Sequence, residues 1–304
     1  MSYERFFHIF DTPEESAKYL IVAFRGWPDA NEAATESISY LIDQLPTKKV
    51  ADIDPEDFFD FSHYRPITTF VNKEPHLCWP RNELFFKKSD NISPALLLLL
   101  GTEPSLKWRT FTEAIVWMAK EYNVDSIIHI GSLMDAVPHT RPLRFTGITT
   151  DKNLMTKFSN LNILSSNYHG PTGIPSVLRE TVSTHNLQYS SFWAHSPHYL
   201  QVPPNYFITY KLVQTISQVL DLNLSLENLK NAALNFELII QKAVETDNQL
   251  ISLVKRLEDN YDLTEEVDTG LPKGEEVDTG MPKGSDVVKD LELFLKDLRD
   301  KGRA

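Results

Sequence analysis

The sequence predicts an α/β domain built on a mostly parallel central sheet, followed by a C-terminal helical arm. Three observations predict it. Residues 95–100, Ala-Leu-Leu-Leu-Leu-Leu, form an apolar run without alternation, as a strand covered on both faces requires. That run is followed by a helix-period segment and a second apolar strand, which together make a parallel strand–helix–strand unit. From Leu226 to Tyr261, apolar residues recur in steps of three and four. Length and composition agree: 304 residues, 41% hydrophobic and 24% charged, are ordinary for a globular chain with a core.

Taken in order, residues 19–24 read as a buried strand closed by Gly26 and Pro28. Residues 30–45 carry Ala33, Ala34, Ile38, Leu41 and Leu45 on one helical stripe, with Asp29 at the N-cap position and Pro46 as the stop. A strand at 50–53 follows, then short β-like pieces at 67–71, 76–79 and 84–87 that suggest a meander or hairpin extension. After the 95–100 strand, Thr110 and Glu113 match a capping box, and Phe111, Ala114, Ile115, Met118 and Ala119 form an apolar helix face. Residues 125–130 return as a strand ending at Gly131. Helices are expected over 176–185 and 204–220, with a strand over 189–194.

The domain is expected to occupy residues 1–225 and the arm 226–262. The arm's heptad has one polar core position, Asp247, and admits two readings: a helix pair folded back on its own domain, or a coiled-coil arm between subunits. Residues 265–274 (EEVDTGLPKG) recur as 275–284 (EEVDTGMPKG), so 263–285 reads as a flexible linker. Within 286–304, Val287, Val288, Leu291, Phe294, Leu295 and Leu298 outline a short amphipathic helix suited to a protein partner.

Several function classes are disfavoured. The net charge of −12 and pI near 5.2 oppose nucleic acid as a partner. A single cysteine, Cys78, excludes an internal disulfide framework and a cysteine-rich zinc site. No apolar run approaches the roughly 20 residues that span a bilayer, and acids near the start argue against a secretory signal, so a cytoplasmic location without membrane contact is expected. No phosphate loop, dinucleotide fingerprint, serine elbow or histidine–carboxylate metal spacing is present, and no cofactor or metal is expected.

Chemistry, if any, belongs on the loops after the parallel strands. Those loops carry Asp29, Glu103, His139, Arg141 and His169, the candidate ligand-binding residues; no catalytic residue can be named. Two prolines stiffen Val137-Pro138-His139-Thr140-Arg141-Pro142 and present its polar groups. Arg141 suits a carboxylate or phosphate, and His139 suits proton transfer near neutral pH. Alternatively, Arg141 ties loops together through carbonyls or an acid such as Glu103.

Gly26-Trp27-Pro28-Asp29-Ala30, Gly101-Thr102-Glu103-Pro104 with Trp108, the run from Gly131 through Pro142, and Pro197-His198-Tyr199-Leu200 resemble the bacterial branch of the proteasome assembly chaperone family named after its second subunit. The resemblance spans about residues 15–262, with Leu257-Glu258 and Tyr261-Asp262 matching the family's arm. It implies a three-layer phosphorylase/hydrolase-like fold and self-association, with trimers among bacterial relatives. Eukaryotic and archaeal relatives assist proteasome assembly, some through a C-terminal hydrophobic-Tyr-X tail. Here the last residues are Lys301-Gly302-Arg303-Ala304, without that tripeptide. The expected function is therefore a non-enzymatic interaction or assembly factor that forms homo-oligomers. The alternative is an enzyme or binder acting on an anionic, nucleoside- or phosphate-like ligand in the strand-end cleft.

Overall fold

The computed structural model describes residues 3–166 and 168–267. In chain order the strands and helices are β1 (Phe7–Ile9), β2 (Tyr19–Arg25), α1 (Ala33–Gln44), β3 (Thr47–Ile53), β4 (Ile67–Val71), β5 (Glu74–Cys78), β6 (Glu83–Lys87), β7 (Leu96–Thr102), α2 (Trp108–Glu121), β8 (Ser126–Asp135), β9 (Phe145–Thr149), α3 (Lys152–Asn160), β10 (Ile163–Ser165), α4 (Ile174–Thr184), β11 (Gln188–Pro197), α5 (Tyr206–Leu220), α6 (Glu227–Glu245) and α7 (Asn248–Val267).

One nine-stranded sheet runs in the order β1-β3-β6-β7-β2-β8-β11-β9-β10. Its centre, β7-β2-β8-β11, is parallel. The expectation of a mostly parallel sheet needs correction at the flanks. On one side β6, β3 and β1 pair antiparallel; on the other, β9 runs antiparallel to β11, and β10 is parallel to β9. The reason is connection length: the central strands are joined through helices long enough to return the chain, whereas β8 to β9 is a nine-residue loop that reverses direction.

The leucine run of β7 explains itself. Leu97 and Leu99 point into a core shared with α2 and α4, through Phe111, Ala114, Ile115, Ile174, Leu178 and Val182. Leu96 and Leu98 point into a second core shared with α1 and α5, through Ala34, Ile38, Leu41, Leu212 and Ile216. Helices therefore cover both faces, and each face takes alternate strand residues.

Other differences have local causes. Strand β8 does not end at Gly131 but runs on to Asp135, because its pairing with β11 continues in register as far as Asp135 opposite Pro197. Helix α2 begins at Trp108, so Thr110 lies inside it and is no cap; Glu113 instead bonds His185 Nε2 at 2.7 Å. The helix expected at 30–45 opens with a 3₁₀ turn, Ala30–Glu32, in which Asn31 and Glu32 have φ of 56° and 54°. Strands β4 and β5 form a separate two-stranded sheet.

Beyond the sheet, Leu229 of α6 joins the α1/α5 core, while Phe236 and Ile240 pack with Leu200 and Val202 after β11. The polar heptad position Asp247 is a break: its Oδ1 accepts the Gln249 amide at 2.7 Å and starts α7. Val254, Leu257 and Tyr261 of α7 are buried. The repeat beyond Val267 and the apolar segment at 287–298 lie outside the described residues. Among the described residues no helix is long and apolar enough to cross a membrane.

Candidate functional site

Because β7, β2, β8 and β11 are parallel, their carboxyl ends open along one edge of the sheet. The turn after β2 is drawn against β8 there: the Ser132 amide bonds Pro28 O at 3.0 Å, and Ser132 Oγ bonds Ala30 O at 2.8 Å.

Three of the sequence-predicted residues stand on this rim, each engaged by a different helix. Asp29 is buried and turns to α1. Its Oδ1 accepts the Ala34 and Thr35 amides at 2.8 and 3.2 Å, and its Oδ2 accepts the Thr35 hydroxyl. Burial pushes its carboxyl up to about 6, against the opposing pull of those hydrogen bonds. Glu103 turns to α4, where Oε1 accepts the Ile174 amide at 2.8 Å and Oε2 the Trp27 amide at 3.4 Å. Burial raises its pKa, and the two amides lower it. Gly173 lets the backbone come close beside it, since a Cβ there would meet Glu103 Oε1 at 2.8 Å and the Trp27 ring at 3.0 Å.

Arg141 turns to α7. Its Nε and Nη2 grip Asp262 at 2.7 and 2.6 Å, Nη1 reaches Glu258 Oε1 at 3.1 Å, and the Thr140 hydroxyl donates to the same Glu258. Tyr261, between the two acids, donates to Pro142 O at 3.0 Å. The Asp262 hydrogen bonds hold the guanidinium well above its ordinary range. Of the two structural readings for Arg141, an acid partner is the one found, but it comes from the arm rather than from Glu103.

His139 and Arg141 are the two predicted residues that line a common narrow cleft, floored by Leu200, Asn205 and His195 and walled by Phe236 of α6. Tyr199 fixes His139: its hydroxyl oxygen accepts the His139 amide at 2.9 Å and lies 2.7 Å from Nδ1. Burial pushes the imidazole pKa down, and Glu258 opposes this. His169 is exposed on the loop before α4. The five residues thus do not converge on one centre.

Sequence reasoning missed a second constellation. Asp135 Oδ2 lies 2.7 Å from His195 Nδ1, and His195 Nε2 lies 2.9 Å from Thr146 Oγ1. Burial pushes Asp135 up, but the His195 contact, the Ala136 amide and the Arg144 charge outweigh it and hold the carboxyl below its ordinary range. Asn31 was missed too: its side-chain amide donates to Ser196 Oγ at 2.9 Å and Leu200 O at 2.7 Å, fastening the β2–α1 turn to the end of β11. Its positive φ was the available signal only once the turn was known. No group of three or more His, Cys, Asp and Glu that could hold a metal occurs among the described residues.

The sequence matches the PAC2 family over residues 23–244. The chain belongs to the PAC2 family. Its fold is similar to that of a PAC2 family protein from Streptomyces avermitilis, at 29% identity and TM-score 0.70, covering 78% of this chain and 99% of that one. It is similar to a protein of unknown function from Corynebacterium glutamicum, at 26% identity and TM-score 0.78, covering 86% and 99%. It is also similar to a proteasome-assembly chaperone homologue from Mycobacterium tuberculosis, at 28% identity and TM-score 0.70, covering 78% and 99%. No curated protein matches. The assembly-chaperone resemblance read from the rim motifs is therefore established at the level of the family. Both stretches of the rim from Gly26 to Ala30 and from Gly131 to Pro142 lie inside the matched region.

Proposed function

We propose that this PAC2 chain is a protein-interaction or assembly factor that self-associates as a trimer of phosphorylase/hydrolase-like three-layer domains, and that this role needs no chemical step. The observation that carries the reading is the β4–β5 hairpin. Among the described residues it pairs only with itself, and Ile67, Phe70, Val71 and Leu77 are 53–72% exposed. A two-stranded hairpin with apolar residues in water is marginal on its own and gains from cover by another chain. Leu234 and Leu238, four residues apart on α6, are exposed as well. The proteasome-assembly chaperone homologue among the similar structures supports a role in assembly. On this reading the segment 286–304 recruits a further protein, nucleic acid and membranes are not partners, no cofactor is used and the chain works in the cytoplasm.

Sedimentation of the full chain over a wide concentration range tests the proposal. A discrete oligomer is expected, and Phe70→Asp with Leu77→Asp shifts it to monomer. A monomer at every concentration, or an oligomer indifferent to these changes, overturns it.

A second reading is favoured by the cleft itself, where His139 and Arg141 sit side by side. An anionic ligand of nucleoside or phosphate type would be held there, with Asp29, Glu103 and His169 shaping the surrounding loops. A thermal-shift series with nucleosides, nucleotides and phosphate tests it: a ligand at 100 times its Kd adds about 2.7 kcal/mol. The absence of any shift, or a shift retained in Arg141→Ala, removes this reading.

A further inference from the structure

We infer that α7 is an exchangeable arm: it sits on its own Arg141 when the chain bends at Asp247, and on the Arg141 of a second copy when α6 and α7 straighten into one helix. The inference deepens the self-association reading and rests on it. The second copy is the occupant of the loop after β8, and it supplies the acids that the arginine grips.

Sequence register carries the argument. The stripe that starts at Leu229 steps by three and four through Ile240, Ala243, Asp247, Leu250 and Val254 to Tyr261. Its phase is not reset at the break between the helices. Two helices that fold back on a domain each bury their own face and need no common phase, whereas one continuous helix does.

The bend is lightly enforced. Thr246, the last residue before it, keeps right-handed helical angles, φ −90° and ψ −10°, and no glycine or proline occurs from Glu227 to Val267. One side chain opens α7: Asp247 Oδ1 accepts the Gln249 and Leu250 amides at 2.7 and 3.3 Å. In a straight helix those amides bond the carbonyls of Glu245 and Thr246 instead. The two states thus exchange a side-chain cap for two backbone hydrogen bonds. A connection this short, between elements that can become one, is a setting for exchange between copies.

Geometry makes the two seats mutually exclusive. Ile240 lines the cleft beside Arg141, and Glu258 takes Arg141 Nη1 at 3.1 Å, so the chain doubles back between them. In a straight helix those two residues stand about 27 Å apart. With Phe236 and Ile240 kept on Leu200 and Val202, a straightened α7 points away from its own loop. The seat is indifferent to which copy fills it. Arg141 to Asp262 and Glu258, Thr140 to Glu258, Tyr261 to Pro142 O, and the Arg144 guanidinium 5.0 Å from the Tyr261 ring centre all join residues 140–144 to α7. A neighbour's α7 can remake each of them.

The test is cross-linking of the full chain in a Cys78→Ser background. One chain carries Thr140→Cys and the other Glu258→Cys, and the two are co-expressed so that they meet as they fold. A short bismaleimide followed by a denaturing gel is expected to show a product joining the two different chains. Asp247→Leu in both chains, which removes the cap and makes the stripe apolar throughout, is expected to raise its share about two-fold or more. A chain carrying both cysteines cross-links in either state, within itself or to its neighbour, and no product from it overturns the seating of α7 on the loop. Linkage found only within that doubly substituted chain overturns the exchange. So does a cross-chain product equally abundant when Asn235→Cys, on the exposed face of α6, replaces Glu258→Cys. A discrete oligomer without cross-chain product overturns the exchange and leaves self-association standing, whereas a monomer at every concentration overturns both.

Discussion

Arg141 holds Asp262 with two nearly parallel hydrogen bonds, Nε to Oδ1 at 2.7 Å and Nη2 to Oδ2 at 2.6 Å, across 121 residues of sequence. This fork joins the proline-stiffened loop after β8 to the last described helix. Glu258, one turn earlier on α7, completes the clasp through Nη1 and the Thr140 hydroxyl. A lysine cannot reproduce such a planar fork.

Arg141→Ala, and to a lesser degree Arg141→Lys, is expected to raise amide exchange in α7 several-fold while leaving β2 and β7 protected. Hydrogen exchange read by mass spectrometry checks this. The Arg141 hydrogen bonds hold the Asp262 carboxyl below its ordinary value of 3.8. A depressed carboxyl contributes stability that is present above its unfolded pKa and lost as pH falls through the folded one. The arm is thus expected to loosen below about pH 4, and equal protection of α7 in parent and Arg141→Ala would refute the clasp.

Asp29 has the opposite sign. Its folded pKa of about 6 stands above the ordinary value of 3.8, so its contribution is full below 3.8 and declines as pH rises through 6. Asp29→Asn keeps an oxygen for the Ala34 and Thr35 amides and removes the buried charge. It is expected to stabilise the chain by about 1–3 kcal/mol at pH 7 and much less at pH 4. Asp29→Ala loses the helix cap and costs about 1–2 kcal/mol. Urea midpoints at the two pH values separate these outcomes.

His129 is fully buried in β8 between the rings of Phe24 and Trp193, and neither of its ring nitrogens has a hydrogen-bond partner among the described residues. Burial pushes its pKa down to about 3 from 6.5. The unfolded chain therefore binds a proton that the folded chain refuses, and stability declines as pH falls from 6.5 toward 3. His129→Leu is expected to add about 1–2 kcal/mol at pH 7 and to flatten the acid side of the pH–stability curve. A variant less stable than the parent at pH 5 would contradict this account.

Gly131 leaves room for the Trp193 ring, which a Cβ would approach to 2.5 Å. Gly131→Ala is expected to cost about 1–3 kcal/mol by displacing that ring, visible as a lowered Tm and changed tryptophan fluorescence. Gly131→Ala with Trp193→Leu should recover most of the loss.

Much of this architecture is written in local pattern. The unalternating leucines of β7, the apolar stripe of α2 and the Asp29 cap could be read directly, because each depends on neighbours within a few residues. The antiparallel β9 and the short α3 and β10 escaped, since Phe145 to Thr149 carries a glycine and only two large apolar residues. Site contacts were less legible than elements. Glu258 and Asp262 share one helix face at a spacing of four, yet nothing local says that the face meets Arg141. Asp135 and His195 stand 60 residues apart and meet because β8 and β11 are parallel and in register, with Asp135 opposite Pro197. The loop positions Asp29, Glu103 and Arg141 reach one rim as strand topology dictates, but the direction of each side chain is chosen by whichever helix offers amides or charge.

The loop gripped by α7 is also the bend at which the chain doubles back into β9. A tug on the arm is consequently delivered along the backbone into the sheet's outer border, only five residues from Arg141 to Thr146. Whatever seizes or frees the arm from outside has a short covalent linkage to that border, whereas the central strands are packed by helices on both faces.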